Sequence, residues 1–227
     1  MKKPNATDKD FVELCREITE KTELPISYEG RYKWIVFLPS KTNPGVPVLN
    51  RFYGVFQDGK IKARGIEVRR RDAPNIVNCF QAEILQEMAK ARNSEEFIQR
   101  IPYAFRLLRR YADKILSKEI SLDDLVISKQ LSKDPDEYVA NWHQTIAAKQ
   151  LSIHGLEVAA GQTVKYVILD VNNKRSERRV IPKQLIKQSC RYDAKEYIRL
   201  LEDALNNILS PLILERRHTQ KTMQVDS

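Results

Sequence analysis

The dipeptide Asp58-Gly59 constrains this chain more than any other feature. It separates two runs rich in β-branched and aromatic residues, Val48 to Phe56 and Ile61 to Val68. Asp-Gly readily takes the two positive-φ positions of a type I′ turn, whose twist matches that of the flanking strands. Residues 48–68 are therefore expected to form an antiparallel hairpin. Ile26 to Glu29 and Tyr32 to Leu38, divided by Gly30, have the same character and read as further strands. Pro39 to Pro47 holds three prolines and a glycine and reads as a loop. Upstream, Thr7 and Asp10 precede Phe11, Leu14, Cys15 and Ile18, which predicts a short helix with one apolar face. Leu24-Pro25 stops it.

Near residue 73 the apolar period changes from two to 3.6. Asp72-Ala73-Pro74 predicts a helix start, with Asp72 as cap and Pro74 in the first turn. Val77, Phe80, Ile84, Leu85 and Met88 continue it to about Ala91. Asn93-Ser94 opens a second helix that runs to Ile115, and Pro102 is expected to kink or split it. Short strands are expected at Leu125 to Leu131 and Val164 to Val171. Turns fall at Asp134-Pro135-Asp136 and Asn172-Asn173. Further helices are expected at Ala140 to Leu151 and Asp193 to Ile213. The fold class is α+β: a small antiparallel sheet with a helix over residues 1–72, a mainly helical module over 73–213, and a polar, flexible tail over 214–227. Trp34, Val36, Phe52 and Phe56 place apolar surface on the small sheet. Together with the first helix, this predicts a sheet that needs a partner to cover it. The helical module is expected to have its own core.

The 39 Lys+Arg against 30 Asp+Glu give a net charge of +9, which favours an anionic partner such as nucleic acid. Cys15, Cys79 and Cys190 form no CxxC, so neither a disulfide framework nor a zinc site is expected, and a reducing, cytoplasmic setting follows. No apolar run approaches membrane-spanning length, so no membrane partner is expected. There is no GxGxxG, P-loop or GxSxG. His143, His154 and His218 share no metal-like spacing. Asp123-Asp124 and Asp136-Glu137 read as a helix first turn and a solvated turn. No catalytic residue and no metal ligand is assigned. The positive signal is basic. Lys60, Lys62 and Arg64 alternate along one strand face, and Arg69-Arg70-Arg71 lead toward a helix start. Such a row suits a chain of phosphates. Gly65 would let a phosphate or another backbone approach closely.

The order of these residues carries a resemblance. Asn50-Arg51-Phe52-Tyr53-Gly54-Val55-Phe56, Asp58-Gly59, Arg64-Gly65-Ile66-Glu67 and Arg70-Arg71-Asp72 resemble the end of the palm of family B DNA polymerases, especially archaeal ones. There a Lys-x-Tyr motif opens a hairpin, and an Arg/Lys-Gly-Leu/Ile-Glu segment leads to Arg-Arg-Asp at the thumb entrance. Tyr28-Glu29-Gly30-Arg31-Tyr32 precedes them in the same order. Val126-Ile127 with Gln130, Lys133 and Asp134 follows. His143 with Ala147-Ala148-Lys149, then Gly161 to Ile168, Arg179 to Pro182, Arg191-Tyr192-Asp193 and Tyr197-Ile198 complete a resemblance over residues 8–213. Arg51 stands where the family has lysine, which exchanges a point charge for a planar fork.

The family's carboxylate motifs, Asp-x-x-Ser-Leu-Tyr-Pro-Ser and Asp-Thr-Asp, are absent. The resemblance therefore implies the small polypeptide of a split polymerase, or else a piece of a longer enzyme. Its partner would be a larger polypeptide carrying exonuclease, fingers and catalytic palm, with Mg2+ bound by that partner. Its substrate would be primer–template DNA. The implied DNA contacts are Arg51 and Tyr53 at the primer end; Arg64, Gly65, Arg70 and Arg71 behind it; and Gln130, Ser132, Lys133 and Arg179 in the thumb. Glu67 and Asp72 would orient neighbouring arginines, and Tyr192 and Tyr197 would pack the thumb. Gln220 to Val225 resembles the segment preceding a sliding-clamp peptide, without the terminal aromatic residues, which names a clamp as a further partner. The competing reading is an independent module that binds double-stranded nucleic acid without a polymerase partner.

Overall fold

A computed structural model describes residues 5–40, 42–43, 46–187 and 190–225, the last stretch without side chains beyond residue 212. Residues 1–4 and the side chains of the clamp-like segment Gln220 to Val225 lie outside the described residues. Helix α1 (Asp8–Thr22) opens as expected, the Asp10 carboxylate accepting from the Thr7 amide at 2.6 Å and hydroxyl at 2.7 Å. Glu23, at φ 58, ends it. Ile26 to Glu29 is not a strand, contrary to expectation. Its side chains turn back to the helix instead: Tyr28 stacks on Phe11 at 5.2 Å and donates its hydroxyl to Asp8 at 3.0 Å.

Strands β1 (Tyr32–Pro39), β2 (Pro47–Phe56) and β3 (Ile61–Arg64) form one antiparallel sheet in the order β1-β2-β3. The hairpin turn falls where the sequence places it, but it is not the expected two-residue type I′ turn: Gly59, at φ +86, is its one positive-φ residue, and its amide donates to the Phe56 carbonyl at 2.9 Å. Asp58 Oδ1 accepts from the Lys60 amide at 2.9 Å. The register sets Tyr53 opposite Ala63 and Phe52 opposite Arg64. Strand β3 stops at Arg64, four residues short of the expected end. Gly65 turns the chain at φ +68, and Glu67–Arg69 form a 3-10 turn.

Beyond short 3-10 turns, the remaining described elements are helices α2 (Asn75–Ala89), α3 (Ser94–Leu116), α4 (His143–Ile153) and α5 (Ala194–Val225) and a second antiparallel sheet. That sheet has the order β4 (Ile127–Gln130), β5 (Thr163–Ile168), β6 (Val180–Pro182). Three expectations need correction. Helix α2 begins after Pro74, and the Asp72 carboxylate is engaged elsewhere rather than capping it. Pro102 does not split α3, which runs unbroken from Ser94 to Leu116; the carbonyl it cannot serve is that of Ile98. Helix α5 continues past the expected end at Ile213 to Val225. Pro211 cannot donate to the Asn207 carbonyl, and the Ser210 hydroxyl does so at 2.9 Å.

A single buried cluster crosses the expected boundary at residue 72. It joins Leu38, Tyr53 and Ile66 to Phe80, Ile84 and Met88 of α2, Leu107 of α3, and Tyr197, Leu201 and Ile208 of α5. Trp34 packs edge-on against Tyr53 and Phe97 and donates its indole N–H to the Ala91 carbonyl at 2.9 Å. Phe56 stacks on Tyr32 at 4.3 Å, and Phe52 lies against Phe37. The apolar surface expected to await a partner is thus largely covered within the chain. Helix α1 is the exception: none of its side chains is buried.

Tyr192 and Tyr197 pack as the sequence reading expects. The Tyr192 hydroxyl donates to the Ile115 carbonyl at 2.7 Å. The buried Tyr197 hydroxyl donates to the Leu125 carbonyl at 2.7 Å and accepts from the Ile168 amide at 3.0 Å, tying α5 to the second sheet. Tyr197→Phe leaves both backbone groups unpaired and should cost about 2–3 kcal/mol. Calorimetry should then show a midpoint lower by roughly 5–10 °C; an unchanged midpoint would show that the hydroxyl is not part of the tie.

Candidate nucleic-acid interface

The corner after β3 fixes the geometry around it. A Cβ on Gly65 would lie 2.4 Å from the Asn50 carbonyl oxygen and 2.8 Å from the Arg51 Cγ, so this glycine admits the β2 backbone. Of the two approaches considered for it, the close neighbour is protein. Arg51 beside it directs its guanidinium inward. Nη1 donates to the Pro39 carbonyl at 2.6 Å, Nη2 to Asn207 Oδ1 at 3.1 Å, and Nε to the Gly65 carbonyl at 3.4 Å. Asn207 Nδ2 donates to Glu67 at 2.8 Å. The other Glu67 oxygen accepts from Gln81 at 2.8 Å. Gln81 is fully buried; it also donates to the Ala204 carbonyl and accepts from the Val68 amide at 2.7 Å. Glu67 thus orients Arg51 through Asn207. Tyr53 is 1% exposed and donates its hydroxyl to the Ile208 carbonyl at 2.9 Å, and burial pushes its phenol pKa well up. Both residues expected at a primer end are placed between β2 and α5.

Arg51 and Glu67 also line a cleft of about 790 Å³ between the first sheet, β4, β5 and α5. Arg70 and Asp72 face the same cleft and form a two-pronged pair at 2.9 and 2.7 Å, and Lys129 of β4 pairs with the same carboxylate. Hydrogen bonds from Arg70, then Lys129, hold the Asp72 carboxyl well below the usual carboxylate range against the opposing effect of burial. His143 reaches the cleft at the start of α4, edge-on to Tyr166. Burial pushes its pKa below the ordinary value, Arg179 adds to this, and Glu196 opposes it. The cleft acids do not fit a divalent cation. Glu67 and Asp72 are engaged as above, and Glu196 and Asp203 pair with Arg199 at 2.6 and 2.7 Å. Among the described residues no three His, Cys, Asp or Glu side chains converge as a metal site.

The remaining sites lie outside the cleft. Arg64, Arg69 and Arg71 are exposed, and their side chains form no ion pair or hydrogen bond among the described residues. Gln130, at the end of β4, donates to the Gly161 carbonyl at 2.8 Å. The Tyr138 hydroxyl gathers the Ser132 and Lys133 amides at 2.9 and 3.2 Å, leaving the Lys133 ammonium in solvent. Arg179 donates Nε to the Asn173 carbonyl at 2.8 Å. The structure therefore groups Arg51, Glu67, Arg70 and Asp72 and leaves the other expected residues dispersed. Sequence reasoning missed Gln81, Lys129 and Asn207. A signal existed for Asn207: Asn206-Asn207 are weak helix formers inside an otherwise apolar-periodic helix. Lys129 had one too, as it alternates with Gln130 on a short strand.

The family model of DNA polymerase family B matches residues 11–212. DNA polymerases of Thermococcus aggregans and Pyrococcus glycovorans are each 28% identical over 198 residues. The match covers 86% of this chain in both cases, but only 10% and 24% of those relatives. The DNA polymerase of Pyrococcus horikoshii is 28% identical over 96% of this chain and 17% of its own length. The solved family B DNA polymerase of the hyperthermophilic archaeon Pyrobaculum calidifontis superposes with a TM-score of 0.62 at 25% identity, over 90% of this chain and 24% of that one. The chain thus spans between a tenth and about a quarter of these relatives.

A carboxylate whose pKa is lowered by folding contributes stability above its unfolded pKa of about 4 and loses it as pH falls toward the folded value. Asp72→Asn should therefore be less stable than the parent by about 1 kcal/mol at pH 7. The difference should narrow as urea titrations are repeated from about pH 5 down to 2. A difference that stays constant with pH would mean that the pair with Arg70 and Lys129 does not form.

Proposed function

The chain belongs to DNA polymerase family B, and on that footing we propose that it supplies the C-terminal part of the palm (residues 1–72) and the thumb (residues 73–213) of a DNA-directed DNA polymerase. In this reading it grips the primer–template duplex, and a larger polypeptide carries the exonuclease, fingers and catalytic palm, whose carboxylates hold Mg2+. The observation that supports the reading best is the set of exposed cations at 64, 69 and 71. They sit at the sheet-to-helix junction within the family match, and among the described residues no acid pairs with them. Cations without partners are available to displace counterions from phosphates, which read the duplex backbone and not its sequence. Lys133 and Gln130 at the end of β4, with Ser132 and Arg179, would extend the contact along the duplex. Arg51 and Tyr53 would act indirectly, by fixing β2 against α5 and so setting the angle between sheet and helices. No step of nucleotidyl transfer is assigned to the acids of this chain.

An independent duplex-binding module is the second reading, and the contiguous core favours it because the chain covers most of its own apolar surface. Primer extension separates the two. Alone, the chain should bind duplex and incorporate no nucleotide. Adding a polypeptide with the Asp-Thr-Asp palm should give extension that depends on this chain. Extension by the chain alone, or extension unaffected by its presence, would contradict the proposal. Arg71→Ala should weaken duplex binding equally on unrelated sequences and reduce the salt slope of log K by about 1. A loss confined to one sequence would point to base readout.

A further inference from the structure

Helix α3 carries a second, outward stripe beside the side that faces the core. Phe97, Ala104, Leu107 and Ile115 face the core. On the outward stripe the apolar Ile98, Pro102, Phe105, Ala112 and Leu116, with Arg109 among them, recur at spacings of four and three. At 3.6 residues per turn, these six fall within an arc of about 80° along some 27 Å of helix. Ile98, Phe105 and Leu116 are 46%, 53% and 60% exposed. A long surface helix normally keeps a polar outer face, and a spacing of this kind is the seam by which one helix receives another. The charges around this seam are Arg106, Arg109, Arg110 and Lys114 against Glu95 and Asp113. Arg106 and Arg109 are exposed and make no ion pair or side-chain hydrogen bond among the described residues. With Arg110 and Lys114 they line a shallow depression of about 400 Å³ that also includes Asp113 and Glu119. Arg110 is already paired with Glu83 at 2.9 Å, and Lys114 lies over the Tyr111 ring.

We propose that the outward seam of α3 is a docking surface for an acidic amphipathic helix of another polypeptide. Its apolar residues would pack on Ile98, Phe105 and Leu116, and its carboxylates would face Arg106 and Arg109. The charge pattern selects this occupant. In an antiparallel pairing of two copies, the seam would place Ile98 against Leu116, but it would also bring the two Arg106 side chains together at the symmetry axis. Nucleic acid would suit the arginines, but it has no use for Ile98 and Leu116, and a single exposed aromatic ring is a poor stacking platform. The proposal does not depend on the polymerase reading, since none of these residues belongs to the candidate interface.

The test uses the full chain and a fluorescein-labelled helical peptide with leucine at its a and d positions and glutamate at e and g. A peptide of the same composition in scrambled order is the control. Anisotropy should give a dissociation constant on the order of 10 µM at low salt, weakening as salt rises. Phe105→Ala and Arg109→Glu should each weaken binding about tenfold or more. Both positions are exposed, and thermal melts should confirm intact folding. Duplex affinity should be unchanged by Phe105→Ala. The proposal is overturned by any of three results. The first is no binding, or binding equal to that of the scrambled peptide. The second is self-association, seen by sedimentation, that Phe105→Ala abolishes. The third is duplex binding that requires Phe105 and Arg109.

Discussion

The hydrogen-bonded chain Arg51–Asn207–Glu67–Gln81 is the constraint on which the rest of the structure depends. It runs from the middle of β2, across α5, to the turn after β3 and into α2. Its members are far apart in sequence, and removing any one leaves a charge or amide without its partner in a low-dielectric setting. Such groups are costly to leave unpaired, so the network admits few arrangements of sheet against helices. Tyr53 reinforces it a few ångströms away by reaching the Ile208 carbonyl, one turn along the same helix as Ala204. Gly65 is required by the same geometry, because β2 and the corner after β3 can approach this closely only without a side chain.

This constraint sorts the basic residues into two groups. Arg51, Arg70 and Lys129 face the cleft, and each has an acceptor within the chain. Arg64, Arg69 and Arg71 emerge from one short segment with no such acceptor among the described residues. Cations held by acceptors within the chain keep the shape of the junction, whereas free cations remain available to an anionic ligand. The family resemblance implies ligand contacts for Arg51 and Tyr53; in this chain their polar atoms are engaged by Pro39, Gly65, Asn207 and Ile208.

The local features were legible in the sequence. Asp58-Gly59 placed the hairpin, Asn93 placed the start of α3 through its bond to the Glu96 amide, and the 3.6 period gave α2 and α5. Errors arose where a distant partner decides the outcome. Ile26 to Glu29 has strand composition, but Tyr28 finds Phe11 and Asp8, and a short apolar run alone cannot choose between pairing with a strand and packing on a helix. Asp72 has the look of a helix cap, yet Arg70 and Lys129 offer two charged donors in place of one amide. The three-residue strand Val180–Pro182 is too short to carry a period. The role of Asn207 depends on residues 156 and 140 positions away, which no local pattern encodes.

The central claim is that the sheet over residues 32–64 and helices α2 and α5 form one cooperative unit tied by this network. Native-state amide hydrogen exchange on the isolated chain tests it most directly, comparing the parent with Asn207→Ala. The account predicts that Tyr53 to Val55 and the middle of α2 open with similar free energies in the parent, and that the substitution lowers both in parallel, while α1 exchanges faster throughout. Fast exchange across β1–β3 beside a strongly protected α2, unaltered by Asn207→Ala, would show that the sheet is held loosely and that the network does not join the two parts.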